Sequence, residues 1–150
     1  MNESYSYWTF GDIFEELGVP FTPFHGGFGL VANGGIPKPT FWTFKFFKDL
    51  QGTCVYRSDE AVIVKREDGS YRGIVWNMTL EGTGEDICRT YQLPIEGKEC
   101  FILTKTVDEA TCNPLKLWHA MGEPSSLSEE QKKLFAYFIS VRGMSQQLAE

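Results

Sequence analysis

A chain of 150 residues is about one domain in length and can bury a real core. Its net charge of −6 argues against a nucleic-acid partner, which usually meets a basic patch. No apolar run approaches the ~18 residues that span a membrane, and the first residues lack the basic start of a signal peptide. Four cysteines occur, Cys54, Cys88, Cys100 and Cys112, and none is spaced as C-x-x-C or completed by a histidine. The expectation is reduced thiols in a cytosolic compartment, with no metal and no cofactor. A Cys100–Cys112 bridge has no support in the pattern. Twelve Phe, six Tyr and four Trp can serve a core or the aromatic walls of a sugar site, and composition does not separate the two.

Ser4 to Phe10 crowds aromatic and β-branched residues and predicts a strand. It lacks polar alternation, which predicts burial on both faces, as in a parallel sheet. Gly11 to Glu16 then brings Asp12, Glu15 and Glu16. Residues just past parallel barrel strands line active sites, whereas acidic residues are more often solvated. Both readings stay open on spacing alone. A sugar site uses carboxylates to accept from hydroxyls and a Trp, here Trp8, to pack on the ring; a core Trp is the alternative.

Pro20 to Gly35 predicts a long loop, of a kind that is often functional. It contains His25, which can carry a proton near neutral pH but is more often structural when alone. The run H-G-G-F-G lacks the features of a phosphate loop. From Pro39 to about Leu50 a helix is expected, with Pro in its first turn. Phe41, Trp42, Phe44, Phe46, Phe47 and Leu50 give it a wide apolar arc, which predicts a largely buried helix. Gly52 is expected near its C′ position.

Beyond Gly52 the spacing predicts an antiparallel sandwich. Ala61–Arg66 and Tyr71–Thr79 flank an Asp68-Gly69 hairpin. Ile87–Leu93 and Cys100–Val107 flank a second turn at residues 94–98. Asn113-Pro114 opens a short helix that ends at Gly122, with His119 on it as a packing or surface residue. A last helix follows Ser126 or Ser128, either of which offers a capping box, with Glu129 or Gln131. Leu134, Phe135, Phe138 and Ile139 share one face of it. The tail after Arg142 is expected to fray. Asn77-Met78-Thr79 fits a glycosylation pattern that is common by chance.

Three blocks carry a likeness to a known family: S-Y-W-T-F-G-D-I-F-E-E, P-F-H-G-G-F-G-L and G-I-P-K-P-T-F-W-T-F-K-F-F. In that order they resemble the late barrel region of glycoside hydrolase family 39, closer to its β-xylosidases than to its α-L-iduronidases. V-D-E-A-T-C-N-P-L-K-L-W-H-A-M-G-E-P-S-S-L-S is similar to the family's accessory β-sandwich. Residues 54–104 follow the family by pattern only.

The resemblance implies a (β/α)8 barrel with an attached sandwich, and retaining hydrolysis by two glutamates ~5 Å apart. It implies that both glutamates precede this segment, so that no catalytic residue is expected here and the chain alone should be inactive. Residues 1–52 would be the eighth strand, loop and eighth helix of the barrel. Residues 53–150 would be the sandwich, stopping short of its last strands. Trp8 resembles the tryptophan that floors the xylose site and Glu16 the carboxylate that binds hydroxyls, with Glu15 as the adjacent alternative. Asp12 is similar in position to an acidic site residue of the iduronidase branch, and His25 lies at the site rim.

The fold class expected is therefore mainly β: an antiparallel β-sandwich with two or three flanking helices, plus the last barrel strand and helix. The parent's substrate would be a xylo-oligosaccharide. Barrel-facing aromatics left without neighbours would drive repacking or self-association. The rival reading is a non-catalytic carbohydrate-binding or interaction module. A small enzyme complete in itself is disfavoured, because Asp12 and Glu16 lie four residues apart with no second wall to face across the gap.

Overall fold

The computed structural model describes residues 4–14, 16–77, 88–95, 99–139 and 143–149. Its elements run β1 (Val31–Ala32), β2 (Ile36–Pro37), α1 (Pro39–Asp49), β3 (Thr53–Arg57), β4 (Ala61–Lys65), β5 (Tyr71–Val75), β6 (Glu99–Lys105), α2 (Pro114–Ala120), α3 (Glu129–Phe138) and β7 (Gly143–Ala149). The class is the expected one, mainly β with antiparallel sheets and three helices. β1 pairs with β2, β3–β4–β5 form a meander, and β6 pairs with β7. The chain divides into two compact units, residues 1–44 with 103–146, and residues 45–102 with 147–150. Among the described residues no helix is long and apolar enough to cross a membrane.

The first unit is organised around Phe135, which is 1% exposed and packs in a core with Ala32, Ile36, Trp118 and Ile139. Two helices bring these residues together, and both start on local signals. Asn113 caps α2 by accepting from the Lys116 N–H, with Pro114 at the first helical position. Ser128 and Gln131 form a reciprocal capping box on α3. After α2, Gly122 takes a φ of +78° and its N–H donates to the His119 carbonyl, while the Glu123 N–H donates to that of Trp118. This pair of bonds is a Schellman close, and the positive φ is why a glycine stands there. Trp118 Nε1 donates to the Pro124 carbonyl at 3.0 Å, which satisfies the only polar atom of a nearly buried side chain. Phe24, from the Gly-rich loop, packs on Trp118 and Phe135 with ring centroids 5.6 and 6.2 Å away.

In the second unit β4 is the central strand, with Ala61, Ile63 and Val64 buried. The Asp68-Gly69 hairpin forms as expected: Gly69 has a φ of +81°, and Asp68 Oδ1 accepts from both the Ser70 N–H and its hydroxyl. Val55 is an extra residue between the pairs Cys54↔Val64 and Tyr56↔Ile63, a β-bulge. The four cysteines are free thiols; Cys112 is buried, and burial pushes its thiol above the ordinary range.

Several expectations are corrected. Ser4–Phe10 belongs to no strand and bends at Trp8 and Phe10, and its side chains are exposed apart from a half-buried Thr9. A parallel strand buried on both faces needs neighbours on both sides, and the described chain gives this one a single parallel bridge, Gly11↔Val31. Helix α1 forms where expected but buries no residue, because its apolar arc is wider than the surface packed against it. Phe47 on that helix is 45% exposed. Gly52 lies beyond the C′ position, since α1 ends at Asp49; its absent Cβ would stand 2.5 Å from the Lys65 carbonyl oxygen, so it admits the chain to the meander. Cys88–Leu93 forms no strand. On α3, Phe135 and Ile139 are buried while Leu134 and Phe138 are not. Strands β1, β2, β3 and β7 were not expected; β7 replaces the fraying tail. Glu15, Met78, Thr79 and residues 96–98 lie outside the described residues.

Two tests follow. Phe135→Ala should destabilise the chain by about 3–5 kcal/mol, the usual cost of emptying a buried Phe site, read as the shift in a urea midpoint; a shift below about 1 kcal/mol would place the core elsewhere. Three carboxylates are held below their ordinary range by hydrogen bonds: Glu60 from Arg89, Asp68 from Ser70, and Asp108 from the N–H groups of Thr111 and Ala110. Unfolding raises their pKa, so the unfolded chain binds more protons in acid. The stabilisation is present above about pH 4 and lost as pH falls through the folded values. Urea midpoints should therefore drop between about pH 5 and pH 3, and a flat profile over that range would contradict the assignment.

Candidate functional site

The candidate site starts where the opening segment meets β1. The Val31 N–H donates to the Phe10 carbonyl and the Asp12 N–H to the Val31 carbonyl, each at 2.9 Å. These two bonds seat Asp12 beside β1. The β1–β2 hairpin turns on Gly34 and Gly35, with φ of +87° and +80°, and pairs Ala32 with Ile36. It therefore returns the chain to its starting point, and the Lys38 N–H donates to the Leu30 carbonyl at 2.9 Å. Lys38 follows β2 directly and arrives next to Asp12.

The two side chains form a buried ion pair. Lys38 Nζ is 2.8 Å from Asp12 Oδ1 and 2.6 Å from Oδ2, with no exposed surface on the Asp12 side chain. The Gly29 N–H donates to Oδ1 at 2.7 Å, and Lys38 also donates to the Gly27 carbonyl at 2.6 Å. One carboxylate and one ammonium thus gather the opening segment, the Gly-rich loop and the start of α1. The glycines have a steric reason. A Cβ on Gly29 would stand 2.6 Å from Asp12 Oδ1, and one on Gly27 would stand 2.7 Å from both Asp12 Oδ1 and His25 Cε1. The run H-G-G-F-G therefore lets the loop close over Asp12, with His25 beside it.

The remaining candidates stand apart from this network. Trp8 is 70% exposed and meets Phe14 edge-on, with ring centroids 6.0 Å apart. The Trp8–Thr9 peptide bond is cis. Glu16 is exposed, and Glu15 lies outside the described residues. Tyr7, also exposed, donates its hydroxyl to the Phe28 carbonyl at 2.9 Å and fixes the loop from the outer side. The structure thus brings Asp12 and His25 together around Gly27, and holds Trp8 and Glu16 in solvent on either side of the anchored segment. Lys38 is the residue that the sequence reading missed; its only signal was a cation placed just ahead of Pro39, at a helix start. Among the described residues no group of three or more His, Cys, Asp or Glu is placed to hold a metal ion.

The fold is shared with solved structures. The chain superposes on the GH39 enzyme from Xanthomonas axonopodis pv. citri with a TM-score of 0.78 and 26% identity, covering 96% of this chain and 32% of that one. A monomeric β-xylosidase from Caulobacter crescentus CB15 shares the fold, with a TM-score of 0.77 and 23% identity over 98% of this chain and 33% of that one. In sequence, the chain is 44% identical over 124 residues to a β-xylosidase of Geobacillus stearothermophilus, covering 81% of this chain and 24% of the relative. It is 36% identical over 143 residues to a β-xylosidase of Caldicellulosiruptor saccharolyticus, covering 85% of this chain and 28% of that relative. Residues 1–139 match the family model of glycosyl hydrolases family 39, and the chain belongs to that family. It spans about a quarter of the length of the curated relatives that it matches.

The ion pair is open to a direct test. Lys38→Met leaves the Asp12 charge buried with one hydrogen bond, and should cost about 3–5 kcal/mol in a urea titration. Combining it with Asp12→Leu should cost less than the two single changes together, because no charge is then stranded. Additive costs would mean that the pair is not coupled.

Proposed function

We propose that this chain is the part of a retaining β-xylosidase that walls its sugar site, and that the two bond-breaking glutamates lie outside it. Residues 1–52 would form the eighth strand, loop and eighth helix of a (β/α)8 barrel, and residues 53–150 the accessory β-sandwich. The parent would release terminal xylose from xylo-oligosaccharides. The observation that carries this reading is the 44% identity, over 124 residues, to a protein named a β-xylosidase.

The side chains support the division of labour. Retaining hydrolysis needs two carboxyl groups about 5 Å apart, one of them free to attack. Asp12 is buried, and Lys38 and Gly29 already occupy its oxygens. It positions the loop and does not attack. Glu16 is exposed and can accept from sugar hydroxyls, with Glu15 as the adjacent alternative. The exposed indole of Trp8 offers an apolar face to a pyranose ring. His25, beside Asp12, sits at the rim. In this reading the chain binds and orients, and a covalent glycosyl-enzyme forms on a glutamate that it does not supply.

The assay is hydrolysis of an aryl β-xyloside by the purified 150-residue chain. Release of the aryl group should not rise above the buffer rate. Turnover that disappears in Glu16→Gln would overturn the proposal and make Glu16 a catalytic group.

A further inference from the structure

We propose that the second unit carries a separate binding site for a neutral oligosaccharide, in the cleft formed by Phe47, Arg57, Ser58, Asp59 and Trp76. This cleft has a volume of about 570 Å³, within the range of small-molecule sites, and all its lining residues belong to residues 45–102. Phe47 and Trp76 form its aromatic wall, with ring centroids 6.0 Å apart and planes at 52°. Phe47 is 45% exposed and Trp76 half-buried, so the wall has open apolar surface.

The polar groups at the rim are what separate this cleft from an apolar crevice. Arg57 ends β3 and Asp59 lies in the turn to β4, and both are exposed. Among the described residues neither side chain has a hydrogen bond or ion pair. A guanidinium with five donors and a carboxylate with two acceptor oxygens therefore stand unused beside two aromatic rings. Ser58 Oγ accepts from the Glu60 N–H at 3.2 Å, which leaves its own O–H to donate. One positive and one negative group at the same rim disfavour an anion or a cation. An apolar face together with donors and acceptors describes a pyranose ring, whose C–H face packs on aromatics and whose hydroxyls do both polar tasks.

The frame of the site is already pinned. The Trp76 N–H donates to the Glu60 carbonyl at 2.9 Å. Arg89 grips the Glu60 carboxylate through Nε at 2.7 Å and Nη2 at 3.0 Å. Arg72 donates to the Asp49 carbonyl at 2.7 Å, which ties the end of α1 to β5. The backbone of the cleft is thus fixed before binding, and the ordering that remains falls on the Arg57 and Asp59 side chains. A second cleft, in the first unit, lacks such handles. Its volume is about 290 Å³, its Lys132 is paired with Glu129, and the Trp42 indole nitrogen is shut off from solvent.

The test is calorimetric titration of the 150-residue chain with xylo-oligosaccharides. Wild type should bind, with an affinity that salt does not change. Arg57→Ala with Asp59→Ala should weaken binding by about tenfold or more, since hydrogen bonds to charged groups are lost. These side chains are exposed and unpaired, so circular dichroism should stay as in wild type; Trp76→Ala should weaken binding similarly. Trp8→Ala with Glu16→Gln should leave this binding in place. Failure of wild type to bind overturns the site, as does binding that the Arg57/Asp59 double variant leaves unchanged. Binding lost only in the Trp8/Glu16 variant also overturns it, and would instead favour a sugar site on the opening segment.

Discussion

One buried ion pair decides the shape of the first unit. Asp12 sits where the opening segment meets the Gly-rich loop, and a desolvated carboxylate is tolerated only where opposite charge and donors surround it. Lys38 and the Gly29 N–H meet that need at 2.6–2.8 Å. The consequence is geometric. Lys38 can reach Asp12 only if the β1–β2 hairpin returns the chain beside Leu30, and Gly29 only if no side chain stands at that position. Hairpin, glycine run and helix start are thus parts of one constraint. The same constraint fixes where the Trp8–Phe10 segment meets β1. A sugar site built on that segment, as proposed, would inherit its position from this buried pair.

What was legible in the sequence was local. Both caps are encoded within four residues, Asn113 with Pro114 and Ser128 with Gln131, and both formed. The Asp68-Gly69 turn is equally local, because a side-chain acceptor and a positive φ need no distant partner. Features that depend on what lies opposite were not legible. The aromatic runs of Ser4–Phe10 and α1 signal burial only if a partner surface exists, and the described residues provide little of it. β1 and β2 are two residues each, too short for alternation to register, although Asn33-Gly34 stands between them as a hairpin signal.

The site divides along the same line. That Asp12, Glu15 and Glu16 follow an extended aromatic segment is visible in the sequence; which of them is solvated is not. Burial of Asp12 is set by residues 15 to 26 positions away, Gly27, Gly29 and Lys38, each of them unremarkable alone. The family likeness named Asp12 through its position. The structure adds the physical reason for an acid there, which is charge pairing at a chain crossing.

The two aromatic sets also differ in how they would hold a ligand. Trp8 lies on a segment whose sheet contact is a single bridge, flanked by exposed Phe10, Ile13, Phe14 and Leu17. Exposed apolar side chains in such a run are suited to being covered. Trp76, by contrast, follows a paired strand and is pinned through Glu60 and Arg89. The Trp76 backbone is therefore fixed before any sugar packs on its ring. If both are sugar sites, as proposed, the first aromatic surface would need further structure around it, and the second would depend only on its own unit.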